Sequence, residues 1–257
     1  PKLDSIDAMA LKSIPELVTR RAMQLIACAL GAGHLETKVV GLDRVPQRGP
    51  AILVARHYHH LFDGVALYQV IPRQIHILVT LDWARNKLIR YFMESAIRLA
   101  RWPVILRRDA LSVGPGGTRH QKDSVFTAAD VHRYQRKAMR DSIALLAEGK
   151  ALVIFPEGYP NIDPNYTPKK SGEEMLPFNA GFAAIVAAAQ KKLGKGIPVI
   201  PVGIHYERGT KWTAHLNFGT AVYATDFPSR AALAKHLEIE VAALSGMSSS
   251  RTKLRSN

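Results

Sequence analysis

Short, uninterrupted apolar runs alternating with stretches of helical periodicity constrain this chain more tightly than any other feature. Residues 51–55 read Ala-Ile-Leu-Val-Ala behind Gly49 and Pro50, and residues 151–155 read Ala-Leu-Val-Ile-Phe. A continuous run of this length is a strand buried on both faces, because a strand with one wet face alternates polar and apolar residues. Residues 197–205 read as a third such strand, and 37–41, 75–80, 104–106 and 216–223 as further β segments. Spacing predicts helices over 65–71, 129–147, 180–192 and 229–244. Parallel strands need crossover connections, so the alternation predicts an α/β fold, a mainly parallel central sheet flanked by helices.

Two polar stretches, 109–128 with its Gly114-Pro115-Gly116-Gly117 and 161–175, are expected to be loops, the first of them mobile. The 257 residues suffice for one large domain. The expected division is an N-terminal helical, membrane-associating segment over 1–36, opening on a polar lead-in at 1–16; an α/β domain over 37–244; and a Ser/Arg/Lys-rich disordered tail over 245–257. The single cysteine, Cys28, closes no intramolecular disulfide and pairs with no second thiolate for a metal, which points to a reducing compartment.

Lys and Arg number 35 against 21 Asp and Glu, a formal net charge of +14. Such a surplus fits an anionic partner: nucleic acid, an anionic membrane surface, or a phosphorylated or CoA-type ligand. The chain has no helix-turn-helix, RNP, zinc-finger or KH signature, which sets nucleic acid aside. Between Trp83 and Arg108 lie Arg85, Lys87, Arg90, Arg98, Arg101, Arg107 and Arg108 against the single acid Glu94. Leu88, Ile89, Phe92, Met93, Ala96, Ile97 and Ala100 recur there at three- and four-residue spacing, one stripe of an amphipathic helix. With Trp83 and Trp102 at its ends, this is the composition of a helix lying on an anionic membrane. A core-packed helix with a wetted basic face satisfies the same pattern. A second segment, 17–35, places Arg20 and Arg21 ahead of an apolar run too short to span a bilayer. No window reaches the roughly 18 apolar residues of a spanning helix, and no signal-peptide layout is present, so a peripheral protein on the cytoplasmic side of a membrane is expected.

In sheets of this kind functional residues collect in the loops at the strand ends. Directly after the first buried strand comes Arg56-His57-Tyr58-His59-His60-Leu61-Phe62-Asp63-Gly64. Three histidines and a carboxylate leaving a strand and entering a helix offer a general base with the acid that orients it. The same residues would serve a metal ion, although no His-Glu-x-x-His spacing is present, or a purely structural cluster. After the second buried strand stands Phe155-Pro156-Glu157-Gly158-Tyr159-Pro160-Asn161. A carboxylate at a buried strand's end is costly without a partner or a task; an ordinary turn is the alternative.

These two blocks, in this order, resemble the glycerolipid acyltransferase superfamily, the glycerol-3-phosphate and lysophosphatidate acyltransferases and their relatives. That family carries a His-x4-Asp motif after a strand, an Arg-containing block, a Phe-Pro-Glu-Gly-Thr-Arg block and a Val-Pro-Val-type strand. The matching residues are Ala55-Arg56-His57 through Asp63, Trp102-Pro103-Val104-Ile105-Leu106-Arg107-Arg108, Phe155-Pro156-Glu157-Gly158, and Ile200-Pro201-Val202-Gly203. Counted back from Asp63 the family's His falls on Tyr58; aligned from the strand it is His57, giving His-x5-Asp. His57 with Asp63 is the first choice, with His59 and His60 remaining as alternative bases. Tyr159-Pro160 replaces the family's Thr-Arg, whose Arg is associated with the acceptor's phosphate.

The resemblance implies transfer of a fatty acyl group from a thioester, on CoA or acyl carrier protein, to a hydroxyl of glycerol phosphate or a lysophospholipid. His57 and Asp63 would be catalytic. Arg107, Arg108, Glu157, Gly158 and Lys169 would bind substrate, Glu157 by positioning acceptor hydroxyls and Arg107, Arg108 or Lys169-Lys170 by supplying the positive charge. Oxyanion donors would be the amides near Asp63 and Gly64. No metal and no cofactor beyond the acyl donor is implied. The alternatives are an acceptor that is a non-phosphate lipid or sugar hydroxyl, or a basic membrane- or nucleic-acid-binding protein on this fold without catalysis.

Overall fold

The computed structural model describes residues 18–111, 113–114, 117–118 and 123–247. The expected lead-in at 1–16 and residues 248–257 of the expected tail lie outside the described residues, while Ser245, at the head of that tail, is buried and donates its hydroxyl to the Val241 carbonyl. A helix over 18–31 (α1) leads into β1 (Leu35–Val40), β2 (Ala51–Ala55), α2 (Phe62–Val70), β3 (Ile75–Ile77), β4 (Val79–Thr80), α3 (Lys87–Ala100), β5 (Val104–Ile105) and α4 (Arg108–Leu111). A two-stranded ladder, β6 (Val113–Gly114) with β7 (Gly117–Thr118), precedes α5 (Ala128–Ala147), β8 (Ala151–Ile154), α6 (Gly181–Leu193), β9 (Val199–Arg208), β10 (Trp212–Phe218) and α7 (Arg230–Leu244). The stretch expected to be a mobile loop thus contains a short helix and a ladder.

The six-stranded sheet has the order β1-β10-β9-β2-β8-β3. β9, β2, β8 and β3 run parallel, while β10 returns antiparallel to β9 and pairs in parallel with β1. The sheet is therefore mainly parallel and helix-covered, as the alternation of runs predicts. Its central strands explain their own composition. Leu53, Val153, Ile200 and Val202 point to the face packed by α2, and Ile52, Val54, Leu152 and Val199 to the face packed by α6 and α7. All eight are wholly buried, so no position on β2 or β8 tolerates a polar residue.

The segment 104–106 does not join this sheet: β5 pairs with β4 alone. A third apolar cluster, built on Leu81, Ile97, Leu106 and Phe126, packs α3 and α4 against the start of α5. Local chemistry sets the helix ends. Asn86 accepts the Ile89 N–H to open α3, Thr127 and Asp130 form a capping box on α5, and Ser229 accepts the Ala232 N–H on α7. Gly203 of β9 is needed for packing, since a Cβ there would sit 2.3 Å from the Leu244 carbonyl carbon at the end of α7.

Candidate active site

The chain leaves β2 at Ala55 and reaches α2 at Phe62, and the intervening loop is held by its neighbours. Ile162 donates to the Tyr58 carbonyl at 2.8 Å, and His60 donates to that of Ile162 at 3.1 Å, so the segment runs extended beside residue 162. Asp63, in the first turn of α2, points back over this loop. Its Oδ2 accepts the Tyr58 N–H at 2.7 Å and meets His57 Nδ1 at 2.8 Å. Its Oδ1 accepts the Tyr206 hydroxyl at 2.8 Å and shares the His59 N–H. A carboxylate at a helix N-terminus is also favoured by the helix dipole.

A carboxylate only accepts, so in the neutral imidazole of His57 the proton sits on Nδ1 and the lone pair on Nε2. The His57 ring stacks on Phe155, centroids 4.4 Å apart, and its side chain is 17% exposed, against 1% for Asp63. The extra residue relative to His-x4-Asp is absorbed at Tyr58. Its amide holds Asp63 while its ring turns away to stack on Tyr206 at 4.9 Å.

The other two histidines of the loop have different partners. His59 Nδ1 accepts the N–H groups of Leu61 and Phe62 at 3.2 Å each, capping α2 in place of a Ser or Asp. Burial, then the neighbouring His60, pushes its pKa down to about 4, which keeps it the acceptor this cap requires. His60 Nδ1 lies 3.2 Å from the Ile162 carbonyl. Among the described residues, the ligand atoms of the three loop histidines form no converging set.

Glu157 reaches into the loop that carries His57. Its Oε1 accepts the His57 N–H at 2.8 Å, and its Oε2 accepts Leu176 N–H at 2.9 Å and Lys169 Nζ at 2.6 Å. Lys169 Nζ also donates to the His57 carbonyl at 2.8 Å. Both side chains are 0% exposed. Glu157 and Lys169, expected to bind substrate, therefore neutralise each other and clamp the His57 peptide from both sides. Desolvation lowers the Lys169 pKa, opposed by the Glu157 charge.

Arg107 is likewise engaged. Its Nε and Nη2 form a fork on Asp82 at 2.8 and 2.7 Å, its Nη1 donates to the Gly158 carbonyl at 2.9 Å, and its guanidinium lies 4.0 Å over the Tyr159 ring. The Tyr159 hydroxyl donates to Asp109 at 2.5 Å. The contribution of Gly158 is its carbonyl, presented from a turn at φ +74° that favours glycine. Arg108 is exposed and lines the cavity described below, with Nη2 3.2 Å from His132 Nε2. Sequence reasoning missed Tyr206, Asp82 and Phe155 as parts of the site; the alternation that aims Tyr206 at the α2 face is the one signal that would have found any of them.

A cavity of about 1400 Å³ opens on His57 and Gly64. It is lined by the Phe155–Tyr159 turn and by α5 and α6, and toward the surface by Met23, Ile26 and Leu30 of α1 and by Met93 and Ile97 of α3. Trp83 and Trp102 also line it. Their indole N–H groups bond inward, to the Thr80 carbonyl and the Tyr68 hydroxyl, so they do not flank α3 as membrane anchors.

An imidazole that meets a buried aspartate through Nδ1 thus stands at the mouth of a large, mainly apolar cavity. The chain belongs to the acyltransferase family, whose model matches residues 36–205, a span that holds both loops. Among solved structures it is similar in fold to the 1-acyl-sn-glycerophosphate (LPA) acyltransferase PlsC from Thermotoga maritima. That likeness has a TM-score of 0.58 at 16% identity and covers 93% of this chain and 81% of that one. No curated protein matches the sequence. Acyl transfer of this type needs no cofactor beyond the acyl donor.

Proposed function

We propose that this acyltransferase moves a fatty acyl group from a thioester, carried by CoA or acyl carrier protein, to the hydroxyl of a lysolipid of the 1-acylglycerol phosphate type. The observation that carries the reading is the 2.8 Å contact of His57 Nδ1 with Asp63 at the cavity mouth. His57 Nε2 takes the proton of the acceptor hydroxyl as its oxygen attacks the thioester carbonyl, and Asp63 stabilises the imidazolium that forms. Three of the α2 amides are occupied by His59, leaving that of Gly64, which lines the cavity, to meet the oxyanion. Collapse of the tetrahedral intermediate breaks the C–S bond, and the departing thiolate recovers the proton from His57.

One observation favours a second reading, in which the acceptor has no phosphate. Tyr159-Pro160 replaces Thr-Arg, and two of the candidate cations, Arg107 and Lys169, are already neutralised by Asp82 and Glu157, which leaves Arg108 at the cavity lining as the candidate that is not paired with an acid.

The acceptor arrives from a membrane. Among the described residues no helix is long and apolar enough to cross one. Yet Leu88, Tyr91, Phe92 and Leu99 of α3, and Leu25 and Ile26 of α1, are exposed, Leu99 at 76%. Both helices also line the cavity from within. Apolar side chains beside Arg85, Lys87, Arg90 and Arg98 suit an anionic lipid surface, on the cytoplasmic side.

The test is acyl transfer by the purified chain, on vesicles, from a long-chain acyl-CoA to lysophosphatidate, glycerol 3-phosphate and an uncharged lysolipid. Turnover lost on His57→Ala with vesicle binding intact is the expected result, and retained turnover rules out the base. Preference for the uncharged acceptor selects the second reading. Phe92→Glu is expected to weaken sedimentation with anionic vesicles and leave transfer to a soluble acceptor unchanged.

A further inference from the structure

The β9–β10 hairpin carries a second cluster of titratable side chains, on the face of the sheet away from Asp63. Along β9, Tyr206 faces α2 and Asp63, so His205 and Glu207 alternate to the other side, where Gly203 receives the end of α7. His215 of β10 is the direct cross-strand partner of His205 in the antiparallel register. Side chains so paired stand close enough for both imidazoles to reach one point. Their rings stack with centroids 4.4 Å apart and 9° between planes, and His215 Nε2 lies 3.3 Å from Glu207 Oε2. One ligand atom from each of the three residues falls within 4.8 Å of the others. His205 Nδ1 is buried and meets no hydrogen-bond partner among the described residues. His215 Nε2 is buried too, with the Glu207 carboxylate at ion-pair distance but without hydrogen-bond geometry. Buried ring nitrogens left without hydrogen bonds carry a desolvation cost that a bound ion would remove.

The geometry points to a divalent transition-metal site of the zinc class formed by His205, Glu207 and His215. Two imidazoles and one carboxylate suit Zn²⁺, and also Ni²⁺ and Cu²⁺, whereas Mg²⁺ and Ca²⁺ require an all-oxygen set. Glu207 is exposed, so the fourth position opens to solvent. Register places Lys38 of β1 beside His215, and the Arg56 guanidinium, bonded to the Ile204 carbonyl, also acts on His205; both charges are set against the ion. A metal here ties β9 to β10 directly behind Tyr206, and nothing in the acyl-transfer reading requires it.

The test uses the whole chain, stripped with a chelator and titrated with zinc chloride against a chromophoric zinc indicator, with thermal unfolding followed in parallel. We expect one equivalent bound with micromolar or tighter affinity, a higher Tm with zinc and no change with Mg²⁺. His205→Asn and His215→Asn each weaken binding by about tenfold or more, and His60→Asn leaves it unchanged. Absence of saturable binding at micromolar zinc, or binding that survives His215→Asn and falls with His60→Asn, overturns the site. Should the histidine variants fail to fold, the exposed Glu207→Ala decides, and unchanged zinc affinity in it is equally fatal.

Discussion

Two carboxylate-to-base pairs sit side by side in this molecule and differ in almost every respect that matters to chemistry. Asp63 faces an imidazole that is partly exposed at a cavity mouth; Glu157 faces an ammonium with both side chains shut away from solvent. The first pair engages Nδ1 of the ring and leaves Nε2 on the cavity side. The second spends its remaining hydrogen bonds on the His57 N–H and carbonyl, the Leu176 N–H and the Asn161 side chain. A buried ion pair contributes geometry more reliably than it contributes stability. Of two carboxylates at neighbouring strand ends, one therefore meets the His57 ring and the other the His57 backbone.

The sharpest way to break this contrast is Asp63→Asn. An amide can donate to Nδ1 and so permits the wrong tautomer, and kcat should fall by about 10²–10⁴-fold with the fold intact by circular dichroism. Next in size, Lys169→Met strands the Glu157 charge in the interior and should cost about 3–5 kcal/mol in urea unfolding. Adding Glu157→Gln should restore part of that, and full stability with lost turnover in Lys169→Met would move the pair from architecture to chemistry.

A smaller effect sharpens the division within the loop itself. Unfolded His59 takes up its proton near 6.5, whereas in the fold it does so only near about 4. Between these values the unfolded state binds more protons. The contribution to stability is thus complete above about pH 6.5 and is lost as pH falls towards 4, on the order of 2–3 kcal/mol. His59→Asn, which still offers an oxygen to the α2 amides, should flatten that slope when urea midpoints at pH 7 and 4.5 are compared. Smallest, Tyr206→Phe removes one donor from Asp63 while keeping the ring against Tyr58 and Trp212, and about tenfold in kcat is expected, roughly 1.4 kcal/mol.

Much of this was legible in the residues because it is local. The buried strands announce themselves by unbroken apolar runs, and α7 by Ser229 ahead of its first turn. β10 was expected at 216–223 and lies at Trp212–Phe218, since half-wet Trp212, Thr213 and His215 carry no apolar run while Val222 makes only an isolated bridge to Val199. The contacts that assign roles at the site were not legible, because they join residues far apart in sequence. Tyr206 reaches Asp63 across 143 positions and Arg107 reaches Asp82 across 25, and no periodicity encodes either. Counting basic residues identified Arg107 and Lys169 as free charge; only the fold reveals the acids that cancel them. The pattern of α3 was real, yet only Ile97 and Ala100 of its stripe are buried, and its flanking indoles turn inward.

The grip on the His57 peptide, nitrogen held by an anion and oxygen by a cation, carries a consequence for how such a chain can diverge. Posture of the imidazole is imposed upstream of its own side chain, so drift at Glu157 moves the His57 ring without touching it. Tyr159 and Pro160, one step further along the same turn, bear no such duty toward His57. Substitution at those two positions leaves both hydrogen bonds to the His57 backbone in place.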